Sequence, residues 1–270
     1  MVEFLSEIGA VFGRWIRKTL RRPAFLFFSL VQPIVWFVLF TQAFQSISNI
    51  RQPLPGGGFL TFADFTGTDS YLTFFSAAVI IQTIIASAMQ SGLGLVADME
   101  SGYMDKMRVA PIRRFSILTG KVLSDGFRIL IQTLVIVALA FALGVQFASG
   151  FAGLLLILLL AAGFGIAWSG ISIFIALKTR NSEATLMISI LTTFPLLFLS
   201  TAVMPKAFLP EWVQTVATYN PISYVADAFH SLTITGFDWS VLGYAGLVTA
   251  VVAGLTLTTS SASFRRAVAG

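Results

Sequence analysis

The sequence contains no cysteine and very few charged residues. Its 270 residues include 17 Lys and Arg, 12 Asp and Glu and one histidine, so charged side chains make up 11% of the chain while 56% of it is hydrophobic. The lack of cysteine excludes disulfides and thiolate metal ligands. Soluble domains carry charge on about a quarter of their residues. This composition therefore indicates an integral membrane protein.

Motifs for catalysis and nucleotide binding are also missing. Gly120 and Lys121 are the nearest approach to a GxxxxGK[ST] phosphate loop, but Phe115 stands where the first glycine is required. The chain has no HExxH zinc motif and no GxSxG nucleophile elbow. Paired acids such as Asp98 and Glu100 are interpreted as solvated loop residues. We expect no enzyme activity and no catalytic, metal or cofactor site in this chain.

What the sequence does contain is a series of apolar runs long enough to cross a bilayer. About 20 helical residues span the hydrocarbon core. Before the first run, residues 1–22 place apolar and basic side chains on opposite faces at helical spacing, which predicts an amphipathic interfacial helix. The sequence predicts an all-α polytopic fold with six transmembrane helices, at residues 24–44, 71–97, 123–147, 151–177, 184–204 and 241–260.

Basic residues lie at alternate ends of the predicted spans, as expected for cytoplasmic segments of a membrane protein. Arg51 and Lys206 fall at the opposite ends. Both termini are therefore predicted to be cytoplasmic. The short basic groups beside apolar runs disfavour nucleic acid as a partner. The basic residues on the cytoplasmic side are Arg14, Arg17, Lys18, Arg21, Arg22, Lys106, Arg108, Arg113, Arg114, Lys121, Lys178, Arg180, Arg265 and Arg266.

The polar segment at residues 98–121 is the largest predicted cytoplasmic loop. Within it, Glu100 to Val109 is predicted to form a short helix, with Gly102 near its start and the helix-stopping Pro111 beyond its end. Such a helix would be a rigid peg between the second and third spans. The alternative interpretation is a charged connecting loop, and the residues alone give the two interpretations equal weight.

Residues 205–240 are too apolar for a free loop and too interrupted by proline for a single span. The segment contains Pro205, Pro210 and Pro221 together with Trp212. We predict short helices that lie in the outer interface or dip partway into the membrane as a re-entrant segment. Such irregular backbone is tolerated at membrane depth where protein shelters it.

None of the predicted spans places an ionisable side chain at mid-depth. Asp125 and Arg128 lie near the cytoplasmic start of the third span, where their i, i+3 spacing permits an ion pair at the interface. Ion-coupled transporters usually keep an ionisable group inside the bilayer to bind the driving ion. The pattern therefore disfavours a self-contained secondary transporter.

The whole chain resembles a permease of the type-two exporter class of ATP-binding cassette (ABC) transporters, most closely the daunorubicin-resistance kind. The resemblance rests on ADMESGYMDKMRVAPIRRFSILTGKVLSD after the second span and FLPEWVQTVATYNPISYVADAF before the sixth. Glu100, Gly102 and Pro111 match the acid, glycine and proline around the family's coupling helix, and Lys121 matches a basic residue that opens the third span. The residues that match the outer re-entrant segment are Pro205, Pro210, Trp212, Asn220 and Pro221.

The resemblance implies a function and a set of partners. The expected function is export of a hydrophobic drug, lipid or lipid-linked glycan across the plasma (inner) membrane of a prokaryote. The expected partners are a separate ABC ATP-binding subunit that holds ATP and Mg, a second permease copy in a homodimer or heterodimer, and membrane lipid. The alternatives are a self-contained secondary transporter or channel, and an anchoring factor without transport. The implied ATPase-coupling residues are Glu100, Gly102, Asp105, Lys106, Arg108 and Pro111.

The predicted orientation can be tested with a matched pair of serines, because the chain has no native cysteine. Ser48→Cys, between the first and second predicted spans, should react with a membrane-impermeant thiol reagent in whole cells. Ser101→Cys should react only after the cells are opened. Labelling of Ser101→Cys alone in intact cells would reverse the orientation.

Overall fold

A computed structural model of the chain describes residues 2–21, 23–49, 52–53, 59–109 and 113–269. Arg22, Arg51, the glycine-rich stretch 56–58 and Pro111 lie outside the described residues. Two short strands, β1 (Gln52–Pro53) and β2 (Phe59–Leu60), pair antiparallel. Almost all of the remaining described residues are helical. The α-helices are α1 (Val2–Leu20), α2 (Pro23–Phe44), α3 (Phe62–Thr66), α4 (Tyr71–Glu100), α5 (Tyr103–Val109), α6 (Arg114–Ala142), α7 (Gly150–Thr179), α8 (Ser182–Phe198), α9 (Glu211–Tyr219), α10 (Pro221–His230) and α11 (Trp239–Ala269).

Four helices within the described ranges are long and apolar enough to cross a membrane, namely α4, α6, α7 and α11. Two of the predicted spans fall on shorter apolar helices, Ser29–Phe44 within α2 and Ser182–Phe198, which is α8. The prediction of a helical polytopic membrane protein is therefore confirmed. The number of six spans stays a prediction.

The helix α4 is the centre of the packing, with α2, α6, α7, α8 and α10 against it. Its 30 residues extend about 45 Å at 1.5 Å per residue. Because the hydrocarbon core is roughly 30 Å thick, α4 is long enough to reach beyond it. The backbone of α4 is continuous from Tyr71 onward.

Small side chains allow α4 and α7 to approach closely. The backbone N–H of Gly92 donates to Ser172 Oγ at 3.2 Å, and Ser172 Oγ donates to the carbonyl of Met89 at 2.7 Å. A Cβ atom on Gly92 would lie 2.4 Å from the backbone oxygen of Ser172. Glycine is therefore required at this crossing.

The amphipathic helix α1 packs against protein along its apolar face. Val11 and Trp15 are buried, and a Cβ atom on Gly120 of α6 would lie 2.8 Å from Val11 Cβ. Phe12 meets Phe127 edge to face, with ring centroids 6.0 Å apart. The predicted interfacial helix is thus attached along the first half of α6.

The α4–α7 crossing generates a stability prediction. Gly92→Ala should force the two helices apart and lower the free energy of unfolding by about 1–3 kcal/mol, the usual range for overpacking. Gly246→Ala in α11 is the matched control, because a Cβ atom there meets nothing within 4 Å. Thermal unfolding in detergent should show a lower Tm for Gly92→Ala only. Equal Tm values for both variants would exclude the close approach.

Candidate functional site

The junction between α4 and α5 is a tight turn at Ser101 and Gly102. Gly102 has a φ of 66°, in the left-handed region that favours glycine, and its N–H donates to the carbonyl of Met99 at 3.0 Å. The sequence predicts one helix from Glu100 to Val109. The structure corrects this, because α4 includes Glu100 and Gly102 turns the chain before α5 begins.

The short helix α5 has one buried face and one exposed face. Met104 and Met107 are buried in an apolar cluster with Leu95 of α4 and Ile117 of α6, while Lys106 is exposed. Pro111 and the side chains of Asp105 and Arg108 lie outside the described part of the structure. This apolar anchor holds α5 against α4 and α6 and leaves Lys106 exposed.

Glu100 connects the end of α4 to the start of α8. Its Oε1 accepts a hydrogen bond from Ser182 Oγ at 3.2 Å. Ser182 follows Asn181, whose side chain caps α8 by accepting from the N–H of Ala184 at 2.8 Å. The predicted coupling residue Glu100 therefore also contacts α8.

Asp98 is buried and holds two cations of α1. Its Oδ2 lies 3.0 Å from Arg14 Nη1 and its Oδ1 lies 2.6 Å from Lys18 Nζ. The sequence-based interpretation of Asp98 as a solvated loop acid is wrong, because the carboxylate lies within α4 under α1 and is 3% exposed. The i, i+4 spacing of Arg14 and Lys18, which puts both on one face of α1, is the local signal that points to it.

Arg14 also joins α1 directly to α5. Its guanidinium carbon lies 3.3 Å from the centroid of the Tyr103 ring, within the range of a cation–π contact. Tyr103 is the first residue of α5. One side chain therefore contacts both the end of α4, through Asp98, and the start of α5.

A second group of charges continues from α1 into α6. Lys121 Nζ lies 4.1 Å from the centroid of the buried Trp15 ring and 2.7 Å from Asp125 Oδ2. The other oxygen of Asp125 lies 3.2 Å from Arg128 Nη2. Lys121, Asp125 and Arg128 are each at most 7% exposed. The pair of Asp125 and Arg128 predicted at the interface forms, but it is buried and includes a third partner.

Arg128 completes the connection to the core helices. It donates to Ser87 Oγ at 3.1 Å, to the carbonyl of Ser87 at 2.8 Å and to Ser91 Oγ at 3.4 Å. Ser91 in turn donates to Ser169 of α7 at 3.1 Å. A polar network therefore runs from α6 to the middle of α4 and on to α7.

The outer segment consists of the short helices α9 and α10, and Asn220 lies between them. Asn220 is 3% exposed, and its Nδ2 donates to the carbonyls of Leu196 and Leu199 at 2.6 and 2.9 Å. Its Oδ1 accepts from the N–H of Ile222 at 3.0 Å and so caps α10. This asparagine therefore binds the end of α8 to the outer segment.

The prolines of the outer segment stand at helix starts, where their missing N–H costs nothing. Pro205 precedes a 3₁₀ turn at Lys206–Phe208, Pro210 precedes α9, and Pro221 is the first residue of α10. Trp212 is 65% exposed, while Phe229 of α10 is fully buried. His230 at the end of α10 has its Nε2 3.1 Å from the carbonyl oxygen of Phe74, near the start of α4, whereas α5 follows the end of α4. The structure therefore does not bring the two predicted motifs together.

Comparison with known proteins gives a family match and several relatives. The model of the ABC-2 type transporter family matches residues 6–234. The daunorubicin resistance ABC transporter permease protein DrrB1 of Streptomyces coeruleorubidus is 30% identical, covering 86% of this chain and 76% of the relative. A transport permease of Porphyra purpurea, ycf38, is 30% identical over 88% of this chain and 77% of the relative. The doxorubicin resistance permease DrrC of Mycobacterium tuberculosis is 24% identical over 62% of this chain and 60% of the relative.

Proposed function

Because the chain belongs to the ABC-2 type transporter family, we propose that it is the permease of an ATP-driven exporter, powered by a separate ATPase subunit through α5. The resemblance drawn from the sequence is confirmed by the family match and by relatives named as drug-resistance ABC permeases. Family members are the membrane subunits of transporters. The identity of the driving subunit and of the substrate belongs to the proposal.

The observation that carries this proposal is the way α5 is mounted. Met104 and Met107 fix it to an apolar cluster formed with α4 and α6, and Tyr103 lies under Arg14 of α1. A connecting loop that moved independently of the helices would lack these contacts. A partner that displaces α5 would therefore move the ends of α1, α4 and α6 with it.

The buried charges supply a rigid path for that displacement. Lys121, Asp125 and Arg128 form consecutive ion pairs along one face of α6. The link to α4 is made by Arg128, which donates to the side chain and to the carbonyl of Ser87. Hydrogen bonds to a charged group are worth about 1.5–3 kcal/mol each. They therefore favour movement of α6 together with the Ser87 region of α4 rather than sliding between the two helices.

The same charges argue against the alternative of a self-contained secondary transporter. Asp125 is paired with cations on both oxygens, so it is not a free acceptor for a driving proton or metal ion. The chain also lacks a phosphate loop of its own. We therefore propose that hydrolysis of ATP, bound with Mg in the partner subunit, supplies the energy for transport. A second permease copy completes the exporter.

A cavity between α2, α4 and α8 supports a hydrophobic substrate. It has a volume of about 360 Å³ and is lined mostly by apolar side chains that include Met89, Ile190 and Phe194, together with Gln82 and Gln90. Gln90 Oε1 is buried without a hydrogen-bond partner among the described residues. The cavity thus suits an apolar molecule that carries a donor group, such as a hydrophobic drug, a lipid or a lipid-linked glycan.

The coupling role predicts that changes at the α4–α5 turn damage ATPase coupling without affecting insertion. Gly102→Pro cannot adopt the φ of 66° found there. Glu100→Arg reverses a charge beside Ser182. Both variants should insert normally but lose the soluble ATPase that co-purifies with the parent from mild detergent, and they should lose ATP-dependent export. Removing one charge of a pair that is buried in an interface typically costs about 2–5 kcal/mol of binding free energy.

Matched controls lie at the other end of the helices. Gly144→Pro imposes a comparable strain, since Gly144 has a φ of 100°, and Glu211→Arg reverses an exposed charge in α9. Both controls should retain the ATPase. The coupling role is excluded if Gly102→Pro and Glu100→Arg bind the ATPase and export as well as the parent. Absence of any ATPase from the parent preparation would instead favour a self-contained transporter.

A further inference from the structure

Four cations at the end of α1 form one open cleft. Arg14, Arg17, Lys18 and Arg21 follow one another at i, i+3, i+4 and i+7 and line a cleft of about 540 Å³. Residues at this spacing share one face of a helix, where like charges repel. The cleft therefore concentrates positive charge that needs a counter-charge.

The protein supplies only part of that counter-charge. Asp98 pairs with Arg14 and Lys18, and it is the one carboxylate within the described residues that pairs with any of the four cations. Arg17 donates its Nε to the carbonyl of Gly13 at 3.2 Å, and Arg21 is exposed. Counted over the described residues alone, four positive charges against one negative charge leave a net charge of +3 in the cleft.

The cleft lies where the chain enters its first apolar helix. Arg21 stands two residues before α2, which begins at Pro23. Leu20 and Phe27 on either side of this point are 58% and 66% exposed, as suits side chains in contact with acyl chains. Clusters of Lys and Arg beside the cytoplasmic end of a membrane helix attract anionic lipid headgroups.

A second cavity extends the cleft between α1 and α4. It has a volume of about 210 Å³ and shares Lys18 with the basic cleft. Its apolar lining comes from Trp15, Leu93, Gly94 and Ala97, and its polar lining from Thr19, Gln90 and Arg128. A basic cleft that adjoins an apolar cavity at the membrane surface matches the two parts of a phospholipid. A free phosphate ion would occupy the basic cleft only.

We propose that the cleft of Arg14, Arg17, Lys18 and Arg21 binds the phosphate headgroup of an anionic membrane lipid. The glycerol and the start of an acyl chain occupy the adjoining cavity between α1 and α4. The lipid neutralises the repulsion along α1 and so stabilises its attachment to Asp98. This site requires neither ATP nor an exported substrate, so it goes beyond the proposed transport function.

Native mass spectrometry of the full-length protein, titrated with phosphatidylglycerol in detergent, tests the proposal. The double variant Arg17→Gln, Arg21→Gln leaves both partners of Asp98 in place and should bind the lipid at least about tenfold more weakly. The double variant Arg180→Gln, Arg266→Gln removes the same charge from exposed positions elsewhere and should match the parent. Phosphatidylcholine should bind weakly to all three proteins.

Three results would overturn the proposal. The first is equal phosphatidylglycerol affinity for parent and cleft variant. The second is displacement of the lipid by millimolar inorganic phosphate, which would identify the cleft as a site for a soluble anion. The third is unchanged lipid binding with loss of the co-purifying ATPase in the cleft variant, which would identify the cleft as a contact for an acidic protein surface.

Discussion

The carboxylate of Asp98, held between Arg14 and Lys18, joins the helices that meet at the Glu100 end of α4. Its two ion pairs of 3.0 and 2.6 Å bind α1 to α4, and the contact of Arg14 with Tyr103 adds α5. Trp15, beside these cations, packs under Lys121 and adds α6. If Asp98 were neutral, Arg14 and Lys18 would lose their ion pairs. The helix α1 would then be held by its apolar contacts with α6, by the hydrogen bonds that Glu7 accepts from Ser116 and from the N–H of Arg113, and by the contact of Arg14 with Tyr103.

The same principle continues along α6, where buried charges are tolerated because each has a partner. Lys121 and Arg128 share Asp125, and the excess positive charge is met by oxygen atoms of Ser87 and Ser91. Such networks lower the stability of the fold when some of their buried polar groups lack a partner, and they are rigid when every group has one. This explains how a largely apolar helix can carry three buried ionisable groups.

Sequence reasoning reaches the elements of this arrangement but not their contacts. Helical periodicity predicts α1, and the glycine and proline signals of the central loop locate α5 to within a few residues. The pairing of Asp98 with α1 and of Glu100 with Ser182 joins residues about 80 positions apart, and no local spacing encodes such distances. The end of α8 is set in the same way by Asn220, which binds carbonyls more than 20 positions earlier.

A double-mutant cycle on Asp98 and Lys18 tests most directly whether this pairing holds α1 and α4 together. The free energies of unfolding of Asp98→Asn, Lys18→Gln and the double variant would be measured in detergent against the parent. If the pair acts as described, the two losses are not additive, with an interaction energy of about 0.5–3 kcal/mol. Additive losses would show that Asp98 and Lys18 act independently, and that result would contradict the account.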